Sequence, residues 1–177
     1  MCTPEPVQFA MALLLAASSA LCAEGPQLGV PVTAAEVAAW DISIQPDGRG
    51  LPAGSGNAGS GQSVFAEKCV VCHNEAGKGG PFDRLAGGEG SLATSTPVRT
   101  VGSFWPYATT IFDYIRRAMP LMAPQSLTND EVYSLTAYLL FLNGVIEERE
   151  NMDATTLAKV KMPNRDGFVV DYQEVVQ

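Results

Sequence analysis

The segment KCVVCHNEAGKGG, residues 68–80, holds two cysteines separated by two residues, followed directly by the single histidine of a 177-residue chain. This spacing constrains the local fold more than any other feature. Side chains three residues apart share a face only where the backbone is helical. The residues leading into the motif carry the matching pattern, with Val64, Phe65, Lys68, Cys69 and Cys72 at helical intervals. A helix is therefore expected over residues 62–72, with Phe65 and both thiols on one face.

The other two cysteines, Cys2 and Cys22, lie near the N-terminus. Residues 9–23, FAMALLLAASSALCA, form an apolar run that ends in small residues. The run is shorter than the roughly 20 residues of a membrane-spanning helix. It reads as the apolar region of a signal peptide over residues 1–23, cleaved after Ala23, although no Lys or Arg precedes Phe9. Export to the periplasm follows, and cleavage leaves Cys69 and Cys72 as the only thiols. Exported proteins commonly use cysteines for disulfides, but a bridge across two residues closes too small a loop to constrain much. These thiols are expected to do chemistry. With 11 basic against 19 acidic residues the formal net charge is −8. No basic patch is available to neutralise phosphates, which excludes nucleic acid as a partner.

The rest of the chain reads as mostly α. Residues 33–40, TAAEVAAW, suggest a short helix with Thr33 and Glu36 as a capping box. Residues 41–52 are punctuated by Pro46, Gly48, Gly50 and Pro52 and should be irregular. Residues 53–61, AGSGNAGSG, read as a flexible joint, so residues 24–59 are expected to form an N-terminal arm and linker. A glycine-rich loop follows the histidine. Residues 106–118 suggest a helix with Pro106 at its first position and Ile111, Phe112 and Ile115 on its apolar stripe. The clearest helix spans residues 130–143, with a Thr128–Glu131 capping box and Gly144 as its stop. Residues 60–144 then form the domain that carries the motif. Residues 145–177 form a C-terminal arm, with a short helix over 153–159 and an extended end. No segment alternates well enough to predict a strand.

Cys-x-x-Cys-His is the attachment motif of a c-type haem. Each thiol adds to one porphyrin vinyl group, and His73 presents its imidazole to the iron. A thioredoxin-like redox pair would need a βαβ context and leaves the histidine unexplained. A zinc site needs about four ligands, and only two cysteines and one histidine are present. With one histidine, the second axial ligand is a methionine, another weak donor, or nothing. Met119 leads, in a proline-flanked loop at a helix end. Met122 shares that loop, and Met162 repeats the Met-Pro pair. A methionine ligand raises the potential and favours electron transfer. An open sixth position would instead make a haem enzyme or sensor.

Gly61, Phe65, Cys69, Cys72 and His73, followed by Leu135, Tyr138 and Leu139, resemble the Gly-xxx-Phe-xxx-Cys-xx-Cys-His opening and the Leu-xx-Tyr-Leu helix of class I cytochromes c. The resemblance implies one covalent haem c, two helices crossing closely at Gly61, and His73 and Met119 as iron ligands. The flanking stretches AAWDISIQPDGRGLPAGSG, TVGSFWPYATTIFDYIRRAMP and KMPNRDGF resemble a narrower group, the SoxD-like cytochrome c subunits of sulfane/sulfite dehydrogenases. That implies a molybdenum-cofactor dehydrogenase subunit as electron donor in sulfur oxidation, a downstream cytochrome or oxidase as acceptor, and no substrate of the chain's own. The usual Pro-x-Leu-x-Gly that orients the ligand histidine is replaced by GPFDRLAGG. A backbone carbonyl between Pro81 and Arg84 is expected to take over that role. Trp105 and Tyr107 are candidates for lining the haem, Arg84 or Arg99 for its propionates, and one of Arg116 and Arg117 for partner docking.

Overall fold

The computed structural model describes residues 28–169. The expected signal peptide and residues 170–177 lie outside them. The chain divides into two units, Met1–Trp40 and Asp41–Gln177. In the first, helix α1 (Ala34–Trp40) opens as expected: the Thr33 hydroxyl donates to Glu36 Oε2 at 2.8 Å, and the Glu36 N–H returns a bond to Thr33 Oγ1 at 3.3 Å. None of the helix's residues is buried.

The second unit is mostly α, as expected, with extended flanks. Its elements in chain order are β1 (Ser55–Gly56), α2 (Ala58–Lys68), α3 (Val70–His73), α4 (Val101–Phe104), α5 (Ala108–Ala118), α6 (Asn129–Leu142) and β2 (Met152–Asp153). Helix α6 is the centre. Every residue from Val132 to Leu140 is buried, as expected for a helix apolar nearly all round. Its start is the capping box foreseen at Thr128 and Glu131. Its end is a Schellman turn: Gly144 takes φ +66°, its N–H donates to the Phe141 carbonyl at 2.9 Å, and the Val145 N–H reaches Leu140 at 3.0 Å.

The expected flexible joint over residues 53–61 is instead structured. Asn57 caps α2, its side chain accepting from the Ser60 N–H at 3.0 Å, so the helix starts at Ala58 rather than residue 62. Gly61 lies inside that helix and is buried. A Cβ there would overlap the Ser134 carbonyl and Tyr138 Cβ of α6. Of the glycines that suggested a linker, Gly54, Gly56 and Gly61 are thus contact residues against α6, and only Gly59 meets nothing of that helix. Phe65, one turn on, packs on Tyr138 with ring centroids 5.3 Å apart.

Three other differences have local causes. The motif helix breaks at Cys69 (φ −123°, ψ −30°), and a single new turn, α3, carries Cys72 and His73. Helix α5 starts two residues later than expected, because Tyr107 (φ −136°, ψ 131°) is its cap and Pro106 stands outside. No strand was predicted, yet Ser55 pairs with Asp153 and Gly56 with Met152 in an antiparallel ladder too short to leave an alternating pattern. Where a short helix was expected over 153–159 the chain forms that strand and a 3-10 turn, Leu157–Lys159. Met152, Leu157 and Met162 are all buried in the core, so this part of the C-terminal arm covers its own domain. The N-terminal flank does the same: the Tyr133 hydroxyl donates to the Pro52 carbonyl at 2.8 Å, and the Ile44 N–H to Asp113 Oδ1 at 3.2 Å. No helix among the described residues is long and apolar enough to cross a membrane.

Candidate functional site

A cavity of about 390 Å³ is walled by α2, α3, α4, α5 and α6. Its lining is mainly apolar, with Phe65, Ile111, Ile115, Leu135 and Leu139 among the buried wall residues. Into this one cavity the fold brings Cys69, Cys72, His73 and Met119. Cys69 sits at the break after α2, and Cys72 and His73 on the turn it starts. Met119 caps the C-terminus of α5: its N–H still bonds Ile115 at 3.0 Å, but its backbone is extended (φ −118°, ψ 146°). The change of direction at Met119 starts the proline-flanked loop.

The other methionines separate cleanly. Met122 is 92% exposed, whereas Met162 is 1% exposed in the core; neither lines the cavity. Met119 is the one methionine that does so among the described residues.

His73 Nδ1 lies 2.9 Å from the Asp83 backbone carbonyl, within the stretch expected to orient it. A carbonyl oxygen only accepts, so Nδ1 carries the proton. Nε2 is left with its lone pair, the tautomer a metal ligand needs. The loop is folded against the motif turn: the Phe82 N–H donates to the Cys72 carbonyl at 3.2 Å, and the Gly79 N–H to the His73 carbonyl at 3.0 Å.

The thiols are unbridged and half-buried. Burial, with Cys72 as neighbour, pushes the Cys69 thiol up to about 11. Redox-active Cys-x-x-Cys pairs depend on a lowered thiol pKa, so the environment runs against that reading. Among the described residues no three His, Cys, Asp or Glu side chains gather to hold a metal ion, so a structural zinc has no ligand set.

The donor set fits a haem. An apolar slot of this volume is within the range of cofactor sites, with an imidazole correctly protonated for iron, a thioether, and two thiols at vinyl-linking spacing. Trp105 lines the cavity and meets Tyr114 edge-on at 5.6 Å. Tyr107 does not; the Arg165 guanidinium covers its ring at 4.1 Å. Arg84 and Arg99 both reach the cavity. Arg117 does not, and is paired with Asp113 at 2.6 Å. Sequence reasoning missed α4, whose Thr100–Ser103 capping box puts Ser where Glu or Gln is the usual signal. It also missed Leu85, Leu127 and Tyr114 as lining residues.

A cavity of this composition under a Cys-x-x-Cys-His turn defines a c-type cytochrome. Residues 56–139 match the family described as cytochrome c oxidase, cbb3-type, subunit III. The fold is similar to that in the crystal structure of the sulfane dehydrogenase SoxCD from Paracoccus pantotrophus, with 40% sequence identity and a TM-score of 0.78, covering 82% of this chain and 72% of that one. No sequence among the curated proteins matches. The chain belongs to the cytochrome c family, and within it resembles the SoxD cytochrome subunit. Its role is that of an electron-transfer cytochrome.

Proposed function

We propose that the chain is a periplasmic monohaem electron carrier that accepts single electrons from a molybdenum-cofactor sulfite or sulfane dehydrogenase subunit and passes them to a downstream cytochrome or oxidase. The observation that carries this reading is the convergence of His73 and Met119, with both thiols, on one apolar cavity. Cys69 and Cys72 would hold one haem c by thioethers, and His73 and Met119 would ligate its iron. The haem supplies a one-electron couple, raised in potential by a methionine ligand. The chain's own residues do the rest. Phe65, Leu135 and Leu139 keep water from the site, and the Asp83 carbonyl fixes the His73 tautomer and ring direction. The likeness to SoxCD supports the choice of donor, and the N-terminal apolar run supports export.

The test is an absorption spectrum of the purified protein, oxidised and reduced, followed by stopped-flow mixing with a sulfite- or sulfane-oxidising molybdoenzyme. A sharp c-type reduced spectrum, the weak far-red band of a methionine–iron bond, and reduction by the enzyme in the presence of its sulfur substrate are expected. A c-type spectrum that lacks the far-red band and shifts with carbon monoxide would overturn the electron-carrier reading in favour of an open-site haem enzyme or sensor.

A further inference from the structure

Gly87 has both backbone polar groups taken by side chains. Its N–H donates to Asn143 Oδ1 at 3.0 Å, and its carbonyl accepts from Thr100 Oγ1 at 2.6 Å. Asn143 is engaged on its other side as well, since Nδ2 donates to the Leu85 carbonyl at 3.2 Å and the Leu139 carbonyl at 2.8 Å. One acceptor bond and two donor bonds leave the amide little freedom. Gly102 closes the remaining side, where an added Cβ would overlap the Asn143 side chain. Asn143 is therefore a fixed point at the end of α6, gripping the loop at Leu85 and Gly87.

That loop carries the histidine's partner. Asp83, whose carbonyl accepts from His73 Nδ1, lies two residues before Leu85. On one side of Asp83 the loop is held by the motif turn, through Phe82 and Cys72. On the other it is held at Leu85, whose N–H donates to the Gly77 carbonyl at 2.8 Å and whose carbonyl takes the Asn143 amide. A loop carbonyl is fixed only as well as the anchors on either side of it, and on this side the Gly77 carbonyl and the Val101 N–H hold Leu85 through backbone while Asn143 alone ties the loop to the far end of α6.

We infer that Asn143 is a positioning residue for the axial histidine: by clamping Leu85 and Gly87 to α6 it holds the Asp83 carbonyl in line with His73 Nδ1–H. The inference rests on His73 being the iron ligand. A well-held acceptor makes the imidazole a stronger donor, which favours the oxidised state. Loosening it raises the midpoint potential.

The experiment compares the holoprotein with Asn143→Ala and Asn143→Asp. Asp keeps the acceptor for Gly87 and loses the donors to Leu85 and Leu139. Thr128→Ala, which weakens the other end of α6 without touching the loop, is the control for general destabilisation. Two readouts are taken below the melting range: spectroelectrochemical midpoint potential, and solvent exchange of the His73 Nδ1 proton by NMR of the reduced protein. Both Asn143 variants are expected to keep the c-type spectrum and the methionine–iron band. Their reduced-to-oxidised ratio at fixed ambient potential should rise by up to about tenfold, the low end of what loss of such outer contacts costs, and the Nδ1 proton should exchange faster. Thr128→Ala should change neither. Unmoved potential and exchange in both Asn143 variants overturn the inference, as does an equal change in Thr128→Ala. A parent without a c-type spectrum overturns the ligand reading, and this inference with it, so the two failures are told apart.

Discussion

Gly61→Ala and Gly59→Ala are the same substitution in one helix, and the structure gives them opposite signs. Away from tertiary contact, Ala in place of Gly stabilises a helix by up to about 1 kcal/mol. At Gly59, exposed in the first turn of α2, the new methyl meets only Asn57 Oδ1, at 3.4 Å, which is ordinary contact. That variant should keep part of the gain, about 0.5 kcal/mol. At Gly61 the methyl would overlap the Ser134 carbonyl, which belongs to the backbone of α6 and has no rotamer to move into. The helices must separate there, and the Phe65–Tyr138 contact beside it opens. Overpacking costs about 1–3 kcal/mol. The upper end applies because backbone meets backbone, and the propensity gain offsets part of it, leaving a net loss of ~2 kcal/mol. For a domain of this size that lowers Tm by roughly 6–10 °C. Urea and thermal denaturation of the two holoproteins, with the parent, measure both. A Gly61→Ala protein as stable as the parent would refute the argument that α2 and α6 meet through their backbones.

Met119→Ala should lose the methionine–iron band, whereas Met122→Ala leaves the spectrum unchanged; Met162→Ala should keep the band while costing about 2–5 kcal/mol in urea denaturation, as a buried truncation does. Cys69→Ser or Cys72→Ser should leave haem attached through one thioether, and the double variant should release it to acidified acetone, read as haem stain lost from a denaturing gel. Lys68 first, then the Thr128 N–H, holds the Glu131 carboxyl below the usual carboxylate range, and the Thr155 hydroxyl with the Thr156 N–H brings Asp153 down to about 2. Depressed carboxylates contribute stability that is fully present above their unfolded pKa, near 4, and is lost as pH falls through the folded value. Parent stability should therefore fall between about pH 4 and pH 2, and Glu131→Gln, which keeps a capping side chain, should be ~0.5–1 kcal/mol weaker at pH 7 and lose less on acidification. Equal acid losses in the two proteins would contradict the assignment.

What the sequence made legible were features whose signal and cause are local. The Thr128–Glu131 box and Gly144 mark the ends of α6 because a cap is made within one turn. The motif singled out Cys69, Cys72 and His73 and the proline-flanked loop Met119, each a short pattern, and all four line the same cavity. The carbonyl stretch over Pro81–Arg84 was readable for the same reason, and the bond falls on Asp83. The missed features depend on partners far along the chain. Gly56 and Gly61 looked like linker glycines because glycine's use in close helix contact shows only once Ser134 lies beside it. The ladder between β1 and β2 has no alternation to detect over two residues. Asn143 read as a helix end, and its bonds to Leu85 and Gly87 cross more than fifty residues of chain.

The ladder that joins Ser55 to Asp153 also fixes an order of events during synthesis. Cys69, Cys72, His73 and Met119 all leave the ribosome before Met152, Leu157 and Met162, the late-arriving side chains that complete the core. Long-range pairing of this kind forms slowly, because a large loop must close first. The nascent chain therefore passes through a stage in which the haem-binding residues exist and the domain is still unsealed. Burial of the Cys69 sulfur belongs to the later stage. A ligation enzyme acting before closure would meet two ordinary thiols on a pliable segment, and the last strand to arrive would then shut the domain over its product.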